Sequence, residues 1–195
     1  MIKVIIFDLN GVFIQSPKLS DRFEQDFGIA SEKFLPALKE IMSQVRQPNA
    51  GECYDYWSKY LREWGVDLDQ NQFYNYWFSA EEEVPELIEL AKELKDKEFK
   101  LFILSNNFVE RANYYAEHFS FLKEIFEKVY YSFITGFVKP DVRAYQNLLK
   151  GNYLKGEECL YFDDSEDNIE VAKSLGINAH TFKSVDELKQ TLSSL

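Results

Sequence analysis

Cysteine is scarce in this chain. Only Cys53 and Cys159 occur in 195 residues, far apart and without the spacing of a metal-binding pair. That excludes a disulfide scaffold, and both are expected as buried, reduced thiols in a cytoplasmic protein. Positive charge is also short: 22 Lys and Arg stand against 33 Asp and Glu, a net charge of −11. No basic excess exists to neutralise a polyanion, which excludes nucleic acid and anionic membrane as main partners. A small phosphorylated molecule is still admissible, because backbone amides, one lysine and a metal hold such a group locally. No apolar run reaches membrane-spanning length. Met1-Ile2-Lys3 leads straight into a strand pattern, so no signal peptide is expected. Repeats and low-complexity segments are lacking too.

What the chain does have is a 46% hydrophobic composition and enough length to bury a sizeable core. Val4 to Phe7 is apolar on both faces and stops at Asp8, the pattern of a central parallel strand with an acid at its carboxyl end. Phe13 to Pro17 reads as a connector. From about Ser20 to Ala80 the periodicity is helical and rich in aromatics, predicting four short helices. Trp57, Tyr60, Trp64 and Trp77 recur there at helical spacing, which favours a core role over a sugar-lining one. The acidic run Glu81 to Glu83 precedes Pro85 and reads as charge placed to suit a helix start.

Beyond it, strands alternate with helices. Leu101 to Leu104, Lys128 to Tyr131, Cys159 to Phe162 and Asn178 to Phe182 are the strands. Ser165 is expected to cap the helix after the third of these, and Ser184 with Glu187 to form a capping box. The predicted fold is α/β: a doubly wound parallel five-stranded sheet with an inserted four-helix cap. The spatial order of its strands, numbered along the chain, is expected to be 5-4-1-2-3. Residues 1–15 and 84–195 would form the core and 16–83 the cap.

Three of these strands end in reactive groups: Asp8, Ser105 and the pair Asp163-Asp164. Parallel strands bring their carboxyl ends to one edge, where open α/β sheets bind ligands. Carboxylates crowded there repel one another, and a hard divalent cation such as Mg²⁺ supplies the counter-charge. Ser105 with the amides at the following helix start forms an anion site, and Lys139 adds a cation. Carboxylates, metal, anion cradle and lysine together describe phosphoryl transfer.

The same residues carry a family resemblance. Phe7-Asp8-Leu9-Asn10-Gly11-Val12, Leu104-Ser105-Asn106, Lys139-Pro140-Asp141 and Phe162-Asp163-Asp164-Ser165-Glu166-Asp167-Asn168 resemble, in order, the four motifs of the haloacid dehalogenase superfamily. The branch most similar holds sugar-phosphate phosphatases and the phosphatase domain of epoxide hydrolases. The resemblance implies Mg²⁺-dependent hydrolysis of a small phosphorylated metabolite through an aspartyl-phosphate. Asp8 would be the nucleophile, and Ser105 and the Asn106 amide would hold the phosphoryl oxygens. Lys139 would neutralise nucleophile and phosphate. Asp8, Asp164, Asp163 (directly or through water) and the Asn10 carbonyl would hold the metal, while Asn168 would orient the loop.

Asn10 departs from the pattern, because phosphatases of this family carry there an aspartate that serves as acid and base. Three readings follow: a slow phosphatase, a catalytically impaired relative that binds a phosphorylated ligand, or a metal-free 2-haloacid dehalogenase. The paired acids Asp163 and Asp164 rank the last of these behind the first. Oligomeric state is left open, since nothing in the sequence marks a self-association surface.

Overall fold

The computed structural model describes residues 2–193. β1 (Val4–Phe7) is the central strand of a five-stranded sheet. β2 (Ile14–Gln15) follows at once, and four helices come next: α1 (Leu19–Phe27), α2 (Ser31–Val45), α3 (Cys53–Trp64) and α4 (Gln70–Phe78). β3 (Glu82–Glu83) and α5 (Pro85–Asp96) lead back to the sheet, which continues with β4 (Lys100–Ser105), α6 (Val109–His118), α7 (Phe121–Ile125) and β5 (Lys128–Tyr131). Then come α8 (Ser132–Thr135), α9 (Val142–Gly151), β6 (Cys159–Asp163), α10 (Glu166–Ser174), β7 (Asn178–Thr181) and α11 (Val185–Leu192).

The sheet order is β5-β4-β1-β6-β7, all neighbours parallel, which is the expected order read from its other edge. Apolar runs cover both faces because successive side chains point to opposite sides. Ile5, Phe7, Leu101, Ile103, Leu160 and Phe162 pack on one side with α5, α7 and α11. Val4, Ile6, Phe102, Leu104, Cys159 and Tyr161 pack on the other with α9 and α10. Both cysteines are buried and unpaired.

The four inserted helices gather their own apolar cluster around Trp57, which is fully buried against Phe23, Phe34, Phe73 and Trp77. Trp57 and Trp77 are therefore core, while Tyr60 and Trp64 lie half-buried against that cluster. In α4 the start is fixed by Asp69, whose carboxylate accepts from the Gln72 N–H while the Gln72 side chain accepts from the Asp69 N–H.

Three local readings of the sequence need correction. The connector after β1 contains β2, which pairs antiparallel with β3 through Ile14–Glu83 and Gln15–Glu82. Glu82 and Glu83 thus belong to a strand, and Glu81 is buried in an ion pair with Arg111 instead of facing a helix start. Ser165 occupies the N-cap of α10 but its hydroxyl makes no capping bond. Asp163 does the work from two residues earlier, accepting from the Ser165 N–H at 2.9 Å. Ser184 does accept from the Glu187 N–H, giving one half of the expected box.

Candidate active site

The register of the sheet aligns Phe7 of β1 with Ile103 of β4 and Phe162 of β6, so Asp8, Leu104-Ser105 and Asp163-Asp164 emerge at one edge. One carboxylate oxygen each from Asp8, Asp163 and Asp164 lie within 4.8 Å of one another. Lys139 enters the cluster from the segment before α9. Its ammonium is 2.9 Å from Asp8 Oδ1 and 2.6 Å from Asp163 Oδ2, and it donates to Tyr161 Oη at 3.1 Å. An ammonium has three donors, and all three are used here.

Asp8 Oδ1 also accepts from the Leu9 N–H at 2.7 Å, whereas among the described residues no hydrogen bond reaches Oδ2. One oxygen is held and the other is available for reaction. Burial drives the Asp8 pKa up to about 6, the Asp163 charge adding to the rise and Lys139 opposing it. Asp163 sits among more donors. Burial alone would raise its pKa, but Lys139, Tyr161 and Asn168 outweigh that and hold it below the usual carboxylate range. Its Oδ2 accepts from Lys139 and Tyr161, its Oδ1 from Ser165 N–H and from Asn168 Nδ2 at 2.9 Å. Asp163 is thereby committed to organising the loop and Lys139. Asn168 touches this carboxylate, in line with an orienting role.

Asn106 clamps the same lysine from the other side: its Nδ2 donates to the Lys139 carbonyl and its Oδ1 accepts from the Lys139 N–H, both at 2.8 Å. The Asn106 side chain is therefore occupied in building the site. Ser105 is 2% exposed, and its Oγ has no hydrogen-bond partner among the described residues. A buried hydroxyl left unsatisfied costs about 1–3 kcal/mol, and at a ligand edge it marks a place where a bound oxygen completes the bonding.

Asn10 is tied down by Tyr115 of α6. Its Nδ2 donates to the Tyr115 hydroxyl at 2.6 Å, while its Oδ1 is buried and unpartnered. Burial keeps the Tyr115 phenol far above its ordinary pKa, with Arg111 opposing and Glu81 reinforcing that shift. Tyr115, Arg111 and Glu81 thus form a buried polar group joining Asn10 to the β3 segment. Glu81 entered the sequence reading only as an acid in the run before Pro85, and Arg111 carried no signal there at all.

Three carboxylates meet one ammonium in this cluster, which leaves room for a divalent cation. Asp8 and Asp164 have the free oxygens to hold it, and burial, together with the Asp163 charge, raises the Asp164 pKa as expected of an uncompensated acid. Gly11 fits the same picture. At φ +87° a side chain there is strained, and a Cβ would fall 2.3 Å from Asp164 Oδ2. Gly11→Ala is therefore expected to displace the Asp164 carboxylate and weaken Mn²⁺ or Mg²⁺ binding by at least about tenfold, measured by calorimetric titration.

Comparison with known proteins gives a consistent answer. The family model for haloacid dehalogenase-like hydrolases matches residues 2–176. A structure of a HAD-like family hydrolase from Porphyromonas gingivalis superposes with a TM-score of 0.80 and 25% identity over 98% of both chains. A HAD family enzyme from Bacteroides thetaiotaomicron, in complex with magnesium and inorganic phosphate, gives a TM-score of 0.82 at 23% identity. That match covers 96% of this chain and 99% of the other. The chain is also 24% identical over 200 residues to mouse acyl-CoA dehydrogenase family member 10, aligning 93% of its own length but spanning only 18% of that protein.

Proposed function

The chain belongs to the haloacid dehalogenase-like hydrolase family, and we propose that it is a Mg²⁺-dependent phosphomonoesterase acting on a small phosphorylated metabolite. The carrying observation is the Asp8 carboxylate, held on Oδ1 by Lys139 and Leu9 with Oδ2 open, beside the unpartnered Ser105 hydroxyl. In this reading Oδ2 attacks phosphorus, the ester P–O bond breaks with its electron pair leaving on the alcohol oxygen, which takes its proton from solvent, and an aspartyl-phosphate forms on Asp8. Water then attacks that phosphorus, returning the Asp8 carboxylate and releasing inorganic phosphate. Ser105 Oγ and the Asn106 amide bind the non-bridging oxygens. Lys139, whose donors are taken up by protein, acts through its charge by keeping Asp8 ionised and easing the approach of a dianion.

Asp8, Asp164 and the Asn10 carbonyl would hold Mg²⁺, with Asp163 behind them. The ion supplies Lewis-acid polarisation of the phosphoryl group and charge neutralisation. The four helices, residues 16–83, serve as the cap over the phosphoryl site. Among the described residues no helix is long and apolar enough to cross a membrane.

Asn10 sets the limit of this activity. An amide cannot protonate a leaving group, so esters whose leaving group departs without a proton should be the better substrates. The test is phosphate release from p-nitrophenyl phosphate and a panel of sugar phosphates, with Mg²⁺ or with EDTA. Metal-dependent release that Asp8→Ala reduces to background is expected. Release unchanged in Asp8→Ala sinks the proposal. Chloride release from 2-chloropropionate without metal would replace it by dehalogenation, and tight phosphate-ester binding without turnover by a binding role.

A further inference from the structure

The edge of the sheet opposite the phosphoryl site carries a cleft of about 1110 Å³, lying where the strands begin. Val4, Phe99, Phe102 and Leu154 give it an apolar floor. Lys3, Lys100 and Lys128 stand at the starts of three neighbouring strands, β1, β4 and β5, and Lys97 joins them from the end of α5. Against these four lysines the lining sets only Glu98 and Glu127, a local charge of +2 in a chain whose net charge is −11. Lys3 is paired with Glu158 and Lys100 with Glu127, but both lysines stay solvent-exposed, and such pairs hold weakly. Lys97 joins no ion pair among the described residues. At about 3.3 Å of rise per residue, Val4 lies roughly 13 Å from Asp8, so the cleft is a second site and not an arm of the first.

Two strained residues face this same cleft. α5 and α9 each close through a backbone bond that places the residue after the helix cap in the left-handed conformation: Phe99 N–H to the Leu94 carbonyl, and Leu154 N–H to the Leu149 carbonyl. Glycine takes that conformation freely, but these positions hold Glu98 at φ 66° and Tyr153 at φ 56°. A bulky tyrosine is strained there, and Tyr153 is also 97% exposed. Among the described residues its ring meets no other ring and its hydroxyl has no hydrogen-bond partner. No contact inside the fold offsets the strain. What the conformation does is hold an aromatic ring at the mouth of a lysine-rimmed cleft.

We propose that this cleft binds a nucleoside phosphate, with the base stacked on Tyr153 and the phosphate among Lys97, Lys100 and Lys128. An aromatic side chain accepts any base, since every base has a π-face, and ammonium groups meet a phosphate as point charges. Phosphate alone would leave the apolar floor and the tyrosine unused. A concave, apolar floor with a few charged groups around it has the form of a small-molecule site. The acidic remainder of the molecule repels an anion elsewhere and so favours this patch. Nothing in this assignment depends on catalysis at Asp8.

The experiment titrates AMP, adenosine and ribose 5-phosphate calorimetrically into the unmodified protein in EDTA. AMP is expected to bind about 10- to 100-fold more tightly than ribose 5-phosphate, which lacks the base, or adenosine, which lacks the phosphate. Tyr153→Gly should erase the advantage over ribose 5-phosphate, and Tyr153→Trp should keep it. Lys97→Gln combined with Lys100→Gln should erase the advantage over adenosine. Because glycine relieves the left-handed φ, Tyr153→Gly should also melt about 2–4 °C higher, which separates loss of binding from loss of fold. No binding of AMP, AMP binding no tighter than ribose 5-phosphate, or AMP binding that survives both the Tyr153→Gly and the double lysine substitution overturns the site. A lower melting temperature in Tyr153→Gly does so too, because the ring would then serve the fold. Sedimentation showing self-association that Tyr153→Gly abolishes would make the cleft an interface between copies of the chain and likewise overturn the nucleotide site.

Discussion

Replacing Asn10 by aspartate is expected to raise the rate of alkyl phosphate hydrolysis by about 10²–10⁴-fold, the usual worth of general acid–base help. The gain should be small for p-nitrophenyl phosphate, whose leaving group needs no proton. That contrast separates acid catalysis from a general repair of the site, which would raise both. The surroundings are ready for the change. The Tyr115 hydroxyl now accepts from Asn10 Nδ2, and being firmly neutral it can turn and donate to a carboxylate instead. Burial and the Asp8 charge nearby would keep the new acid partly protonated near neutral pH, as a proton donor requires. The Asn10-Gly11 pair is prone to deamidation, so the unmodified mass of Asn10 must be verified before any basal rate is credited to it. Rates equal in both proteins for both esters would show that residue 10 carries no proton.

Much of this architecture was legible because its signals are local and repeated. Runs such as Val4–Phe7 and Cys159–Phe162 are apolar on both faces, and only a sheet covered on both sides satisfies that pattern. The convergence of Asp8, Ser105, Lys139 and Asp164 followed from parallel topology, since every carboxyl end lies on one edge. What escaped depends on pairings between distant residues. Glu81 looked like one more acid in a run before Pro85, and only its burial against Arg111 gives it another meaning. The short β2–β3 ribbon offers no periodicity to read in two residues per strand. Asp163 was expected near the metal, directly or through water; what the sequence could not show is that four donors converge on it, so that it also holds Lys139 in place.

That last relation gives the largest expected loss. Lys139→Met should abolish turnover and also destabilise the metal-free protein by about 3–5 kcal/mol, because it strands two buried carboxylates without their counter-charge. The pH dependence follows from the signs. In the native protein burial raises the Asp163 pKa, but Lys139 and the hydrogen bonds overcome it, so the folded value lies below the unfolded one. Such a group stabilises above its unfolded pKa and loses that contribution as pH falls through the folded pKa. Without Lys139 burial, which already outweighs the lysine at Asp8, dominates at Asp163 as well, and each resists ionisation in the folded state more strongly. The variant then regains stability as the pH falls and the two carboxyl groups take up protons. Urea unfolding at pH 7 and pH 5, in EDTA, should show the deficit of Lys139→Met shrinking at the lower pH. A deficit independent of pH would mean that lost packing around the lysine stem, and not its charge, is what the site depends on. Adding Mg²⁺ at pH 7 tests the same balance from the other direction. If crowded negative charge is the source of the instability, the cation should recover part of it in the variant through Asp8 and Asp164, even though activity does not return.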